Sequence, residues 1–177
     1  MRLLIALAGA AVLALLAAPE IPRYGAERRV GVATAAFQDL VASPQIPDTQ
    51  HRIQAVGLLA LSTTTALPGD PRPWMIGASS LLVTGQPQRA LEFYRAALAT
   101  GERSEIDLNL GRSYLAIGKR EPGEAALLRA GWISPEILAS LPEAPRGPLQ
   151  AQIARLDAEL RQGTLAAPPP LPSDEPR

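Results

Sequence analysis

Residues 108–121 read LNLGRSYLAIGKRE, and the meaning of the two glycines decides what kind of protein this is. A glycine-rich ending followed by lysine raises the question of a phosphate loop. Such a loop needs a preceding strand, backbone N–H groups turned inward, and a Lys followed by Ser or Thr to hold Mg²⁺. Here six residues separate Gly111 from Gly118, Arg120 follows Lys119, and Tyr114-Leu115-Ala116-Ile117 has a helical pattern. The remaining reading is mechanical: Gly111 marks a close helix crossing, and Gly118 stops a helix.

The upstream stretch PWMIGASSLLVTGQ, residues 73–86, tests that reading. Gly85 lies 33 residues before Gly118, and superposition at that spacing matches Ala78 with Gly111, Leu81 with Tyr114, Tyr94 with Leu127 and Ala97 with Ala130. Small residues recur on the first helix of each pair, with bulky ones three positions later. Two antiparallel helices pack closely when one side is small at the crossing and a large neighbour fills the groove. The expected helices are Trp74–Thr84, Pro87 to about Thr100, a third capped by Ser104 and stopped by Gly118, and a fourth over 122–132.

This pattern resembles the tetratricopeptide repeat family. The first copy, 71–103, carries the family's Trp74, Ala78, Leu81, Gly85, Ala90, Tyr94 and Ala97; the second, 104–136, carries Asn109, Leu110, Gly111, Tyr114, Gly118, Ala130 and Pro135. The second copy departs at Asp107, where an aromatic is usual, and at Gly123, where Ala is usual, so looser packing is expected there. The resemblance covers about 66 of the 177 residues. It implies an all-α fold, a short α-solenoid of helical hairpins. It also implies a concave groove lined by the first helix of each repeat, with Met75, Ser79 and Leu82 from one copy and Leu108, Asn109, Arg112 and Leu115 from the next. In that groove Arg112 can pair with a peptide carboxylate and Asn109 can bond an extended backbone. The alternative for each residue is plainer: Leu108 and Leu115 in the core, Arg112 in solvent.

Outside the repeats, Pro19 and Pro22 are expected to make residues 19–25 a linker. A loose helix follows over 26–41, then a helix from an Asp48 cap to about Thr65, which could be the second half of a degenerate earlier repeat. A short helix is expected from Ser134 to Leu141. LQAQIARLDAELRQG, 149–163, forms a capping helix with Leu149, Ile153, Leu156 and Leu160 on one face. The domain division is therefore 1–22, 23–66, 67–163 and a proline-rich, disordered or polyproline tail at 164–177.

The N-terminus, MRLLIALAGAAVLALLAAPE, runs uncharged from Leu3 to Ala18. As a helix those residues would span about 24 Å, short of the roughly 30 Å hydrocarbon core. An uncleaved signal anchor is the first reading and a cleaved signal peptide the second, since small residues are poorly placed for cleavage. A buried core helix is a third. Arg23, Arg28 and Arg29 follow the segment and by the positive-inside rule favour a cytoplasmic domain. The signal-like start argues for export, and the reading adopted is a single segment at a bacterial inner membrane, residues 3–18 contacting lipid, with the soluble part periplasmic.

Composition narrows the chemistry. Seventeen basic residues balance 17 acidic ones, which removes the electrostatic footprint of a nucleic-acid binder. The lack of cysteine removes disulfides, thiolate metal sites and cysteine nucleophiles. His51 is the sole histidine, and no paired carboxylates stand out. The expectation is a non-catalytic protein without metal or cofactor that binds a protein or peptide partner. The alternatives are a purely structural subunit of a larger membrane complex, or an enzyme with its site in residues 23–66.

Overall fold

The computed structural model describes residue 18 and residues 20–171. The apolar run at 3–18, on which the membrane reading rests, lies outside the described residues except for Ala18. Among the described residues no helix is long and apolar enough to cross a membrane.

The described residues form an all-α fold. The helices are α1 (Glu20–Ala42), α2 (Thr49–Leu61), α3 (Pro71–Val83), α4 (Pro87–Ala99), α5 (Ser104–Ala116), α6 (Arg120–Ile133) and α7 (Glu143–Arg161), with a 3₁₀ turn at Pro135–Ser140. Each helix packs against the next, and α3 also touches both α1 and α5. The first helices of successive pairs therefore lie side by side.

The turn chemistry agrees with the sequence. Gly85 and Gly118 have φ of +78° and +79°, a region that costs glycine little. At both, a six-residue hydrogen bond closes the helix: Gln86 N donates to Leu81 O at 2.8 Å and Lys119 N to Tyr114 O at 2.9 Å. Pro87 occupies the first turn of α4 as expected.

The crossing of α5 and α6 is tighter than the sequence reading allowed. A Cβ added to Gly111 would stand 2.7 Å from Leu127 Cδ2 and 3.0 Å from the Gly123 carbonyl; one added to Gly123 would stand 2.9 Å from Leu115 and 3.2 Å from the Gly111 carbonyl. Gly123 in place of Ala thus brings the helices closer instead of loosening them. Tyr94, Ala97, Leu127 and Ala130, the matched positions of α4 and α6, are all buried. In α3 the close approach falls on Gly77 as well as Ala78, because Leu61 of α2 inserts there, 2.6 Å from a would-be Gly77 Cβ. Gly57 meets Ser80 in the same way, and Ser80 Oγ donates to Ile53 O at 2.8 Å. One apolar cluster joins Ala26, Val30, Ala33, Ala60, Leu67 and Ile76, so α1 and α2 share a core with α3.

Several boundaries differ from expectation, each for a local reason. Pro22 does not break the chain: α1 begins at Glu20 and Pro22 sits in its first turn, where the N–H groups lack intrahelical partners anyway. Pro145 likewise falls in the first turn of α7, which starts at Glu143 and runs through Pro148 in its interior. Asp48 precedes α2 with φ +57° and makes no side-chain cap, and α2 ends at Leu61, where Thr63 and Thr64 turn their hydroxyls onto Ala60 O and Leu61 O. Arg103, not Ser104, holds the cap position of α5. On α7, Leu149 and Ile153 are buried against α6 and the 3₁₀ turn while Leu160 is 56 % exposed, so only the first half of its apolar face is covered.

Candidate functional site

The seven residues placed in the groove by the resemblance have different surroundings. Leu108 is 4 % exposed and packs with Leu127, Leu138 and Ile153, which makes it core. Met75 and Leu82 are half-buried and lean on the cluster around Tyr94 and Tyr114. Leu115, 39 % exposed, lines a groove of about 920 Å³ between α6 and α7, with Ala125, Leu128, Pro145 and Leu149 forming apolar wall and Arg120 and Glu124 at its rim. Arg120 and Glu124 pair with each other at 2.7 Å.

Ser79 makes one polar contact, from α3 to Tyr94 of α4, while Asn109 and Arg112 belong to another, which joins α5 to the 3₁₀ turn. The Ser79 and Tyr94 hydroxyls are 2.7 Å apart. Burial pushes the Tyr94 phenol up to about 12, while the Ser79 hydrogen bond and the Arg112 charge pull the other way. Tyr94 therefore stays neutral at physiological pH. Arg112 donates through Nη1 to Asn109 Oδ1 at 3.2 Å and through Nη2 to the carbonyl and hydroxyl oxygens of Ser140, both at 3.0 Å. The guanidinium that the sequence assigned to a peptide is thus also a brace between α5 and the 3₁₀ turn. Tyr94→Phe removes the Ser79 bond alone and is expected to cost about 1 kcal/mol in chemical denaturation; no change in the midpoint would mean the bond contributes nothing.

A second polar cluster was not visible in the sequence. Arg129 on α6 donates through Nε and Nη2 to the two carboxylate oxygens of Glu102 at 2.5 and 2.8 Å, and through Nη1 to the carbonyl of Pro169 at 2.6 Å. Pro169 is buried and Leu165 half-buried, while the other residues of 164–171 are exposed. Beside this pair is Asp107, 0 % exposed, whose carboxyl finds no N–H or hydroxyl donor and has only the Glu102 carboxylate as a side-chain hydrogen-bond partner, a bond that requires Asp107 to be protonated. Burial first, then the negative charge of Glu102 and the hydrogen bond that protonated Asp107 makes to it, push Asp107 up to about 7, with Arg129 opposing. Glu102 is held below the usual carboxylate range, chiefly by its hydrogen bonds from Arg129. The signal that could have pointed here is Asp107 itself, a charged residue where the tetratricopeptide resemblance leads one to expect an aromatic.

His51 lies on an exposed part of α2, and among the described residues no group of three or more His, Cys, Asp or Glu side chains is arranged to hold a metal. Comparison with known proteins finds no matching family model, no matching curated protein and no matching solved structure.

Proposed function

We propose that the chain is a tetratricopeptide-like adaptor, a short α-solenoid that binds a peptide or protein partner within a bacterial cell-envelope assembly and carries out no catalysis. In this reading the apolar segment at 3–18 fixes it to the inner membrane, and α1–α7 stand on the periplasmic side. The observation that supports it is the repetition of one hairpin: α3/α4 and α5/α6 share the glycine turn, the buried small residue on the first helix, and the buried Tyr94/Leu127 and Ala97/Ala130 positions. Arrays of such hairpins offer an extended surface for a partner. Met75, Ser79, Leu82, Asn109, Arg112 and Leu115 form the binding face; Leu108 supports it from beneath.

A second reading, a structural subunit without a free groove, is favoured by one observation. Ser79, Asn109 and Arg112 already bond within the chain. Photo-crosslinkers at Met75 and Leu82, set against one at the exposed Glu92 of α4, separate the two in native membranes. Capture from 75 and 82 supports the adaptor, and capture from 92 alone supports the structural subunit. In the adaptor, Arg112→Glu is expected to cut crosslinked partner by about tenfold, as loss of a charge-assisted contact implies, with helical content unchanged by circular dichroism. Undiminished capture would remove Arg112 from the binding face.

A further inference from the structure

Outside the groove just described, the cluster at Arg129 brings together four segments: the α4–α5 loop through Glu102, α5 through Asp107, α6 through Arg129, and the chain after α7 through Pro169. We propose that the face around Arg129 is a binding site for an extended proline-rich segment. It is occupied here in cis by Pro169 of the chain's own Thr164–Leu171, whose other residues are exposed apart from the half-buried Leu165, and ionisation of Asp107 beside Arg129 releases that segment. The proposal is independent of the groove around Arg112.

The ligand suits such a site. Thr164–Leu171 reads TLAAPPPL. Proline-rich chain is already extended and loses little conformational freedom on docking, and its unbonded carbonyls are open to a donor. The segment leaves α7 through Gly163, φ +71°, with Thr164 N donating to Glu159 O at 2.9 Å. It then delivers the Pro169 carbonyl to Arg129 at 2.6 Å with the proline buried. The receptor is rigid because Glu102 takes the other edge of the guanidinium in a two-point pair.

Asp107 supplies the control. The charged groups facing it are Glu102 from the α4–α5 loop and Arg129 from α6; on its own helix Glu105 is exposed and next to Ser104 Oγ. While protonated, Asp107 donates to the Glu102 carboxylate and makes little demand on Arg129. Once ionised it is a buried carboxylate with no donor of its own, and the nearest cation is Arg129. A charged acceptor draws a guanidinium N–H more strongly than a neutral carbonyl does. Of the bonds Arg129 makes, the one to Pro169 is the weakest competitor. Its loss frees the segment and exposes the face to another extended chain.

The chain has no cysteine, so nitroxides on Glu121→Cys, exposed on α6, and Leu171→Cys report one distance by pulsed electron paramagnetic resonance. At about pH 6 a narrow distribution is expected, and at about pH 8.5 the ratio of narrow to broad component should fall by about tenfold, the scale of losing one charge-assisted hydrogen bond. Asp107→Asn should keep it narrow at both pH values, and Arg129→Ala should broaden it at both. A parent distribution that ignores pH, or an Asp107→Asn chain that releases the segment with pH as the parent does, overturns the proposal. Should Arg129→Ala lose helical content, the Asp107→Asn series decides alone, because it reads the pH response in a chain that keeps its arginine.

Discussion

Gly111→Leu is expected to lower the melting temperature by roughly 10 °C, a loss of about 3 kcal/mol for a domain of this size. The first atom of the new side chain already stands 2.7 Å from Leu127 Cδ2 and 3.0 Å from a backbone carbonyl, that of Gly123. Leu127 can turn aside; the carbonyl cannot, so α5 and α6 must separate and give up the packing of Leu108, Leu127 and Ala130. Gly31→Leu is the control. Gly31 lies in α1 with nothing within 4 Å of its would-be Cβ, and there the better helix propensity of leucine should leave stability equal or raise it by up to about 1 kcal/mol. Calorimetry on the two variants checks the pair. Equal melting temperatures would mean that the α5–α6 crossing carries no packing constraint.

The second large effect is a stability that falls as pH rises. Asp107 has a folded value of about 7 against an ordinary 3.8. Between those values the native chain holds a proton that the unfolded chain has lost, so folding is most favoured below the lower value and weakens as pH passes through the upper one. About three pH units at about 1.4 kcal/mol each set an upper limit near 4 kcal/mol. Glu102 runs in the opposite sense, losing its contribution as pH falls through its lowered value. Its window starts at the ordinary glutamate value of 4.5 and runs downward, which leaves the range from there to about pH 7 chiefly to Asp107. Asp107→Asn should flatten the slope over that window and leave the variant about 1–3 kcal/mol more stable than the parent at pH 8. Denaturant titrations at pH 5 and 8 read it, and a variant with the parent's slope would assign the effect to other groups.

The parts of the fold that were legible in the sequence are those set by neighbours along the chain. Gly85, Gly118 and Gly163 announce left-handed helix ends, Pro87 announces a first turn, and the 33-residue spacing pairs the two hairpins. Pro22 misled because a breaker's effect depends on its place in the helix, and it stands in the first turn, where the missing N–H costs nothing, whereas α7 carries Pro148 in its interior. Small residues were read by position in the repeat, whereas Gly77 and Gly57 answer to Leu61 and Ser80 on a neighbouring helix. The candidate groove was legible as residue types but not as surroundings. Arg112 meets Ser140 across 28 residues, and Arg129 meets Pro169 across 40, distances over which no local pattern carries information.

The contact between Arg129 and Pro169 also bears on the order in which the chain assembles. Helices that pack mainly on their sequence neighbours can form as they are synthesised, each hairpin finding its partner before the next is made. Residues 164–171 emerge after α1–α7, so the Pro169 carbonyl reaches Arg129 when the hairpins are already in place. A nascent chain halted before residue 164 would hold its helices yet leave that arginine bound to Glu102 alone.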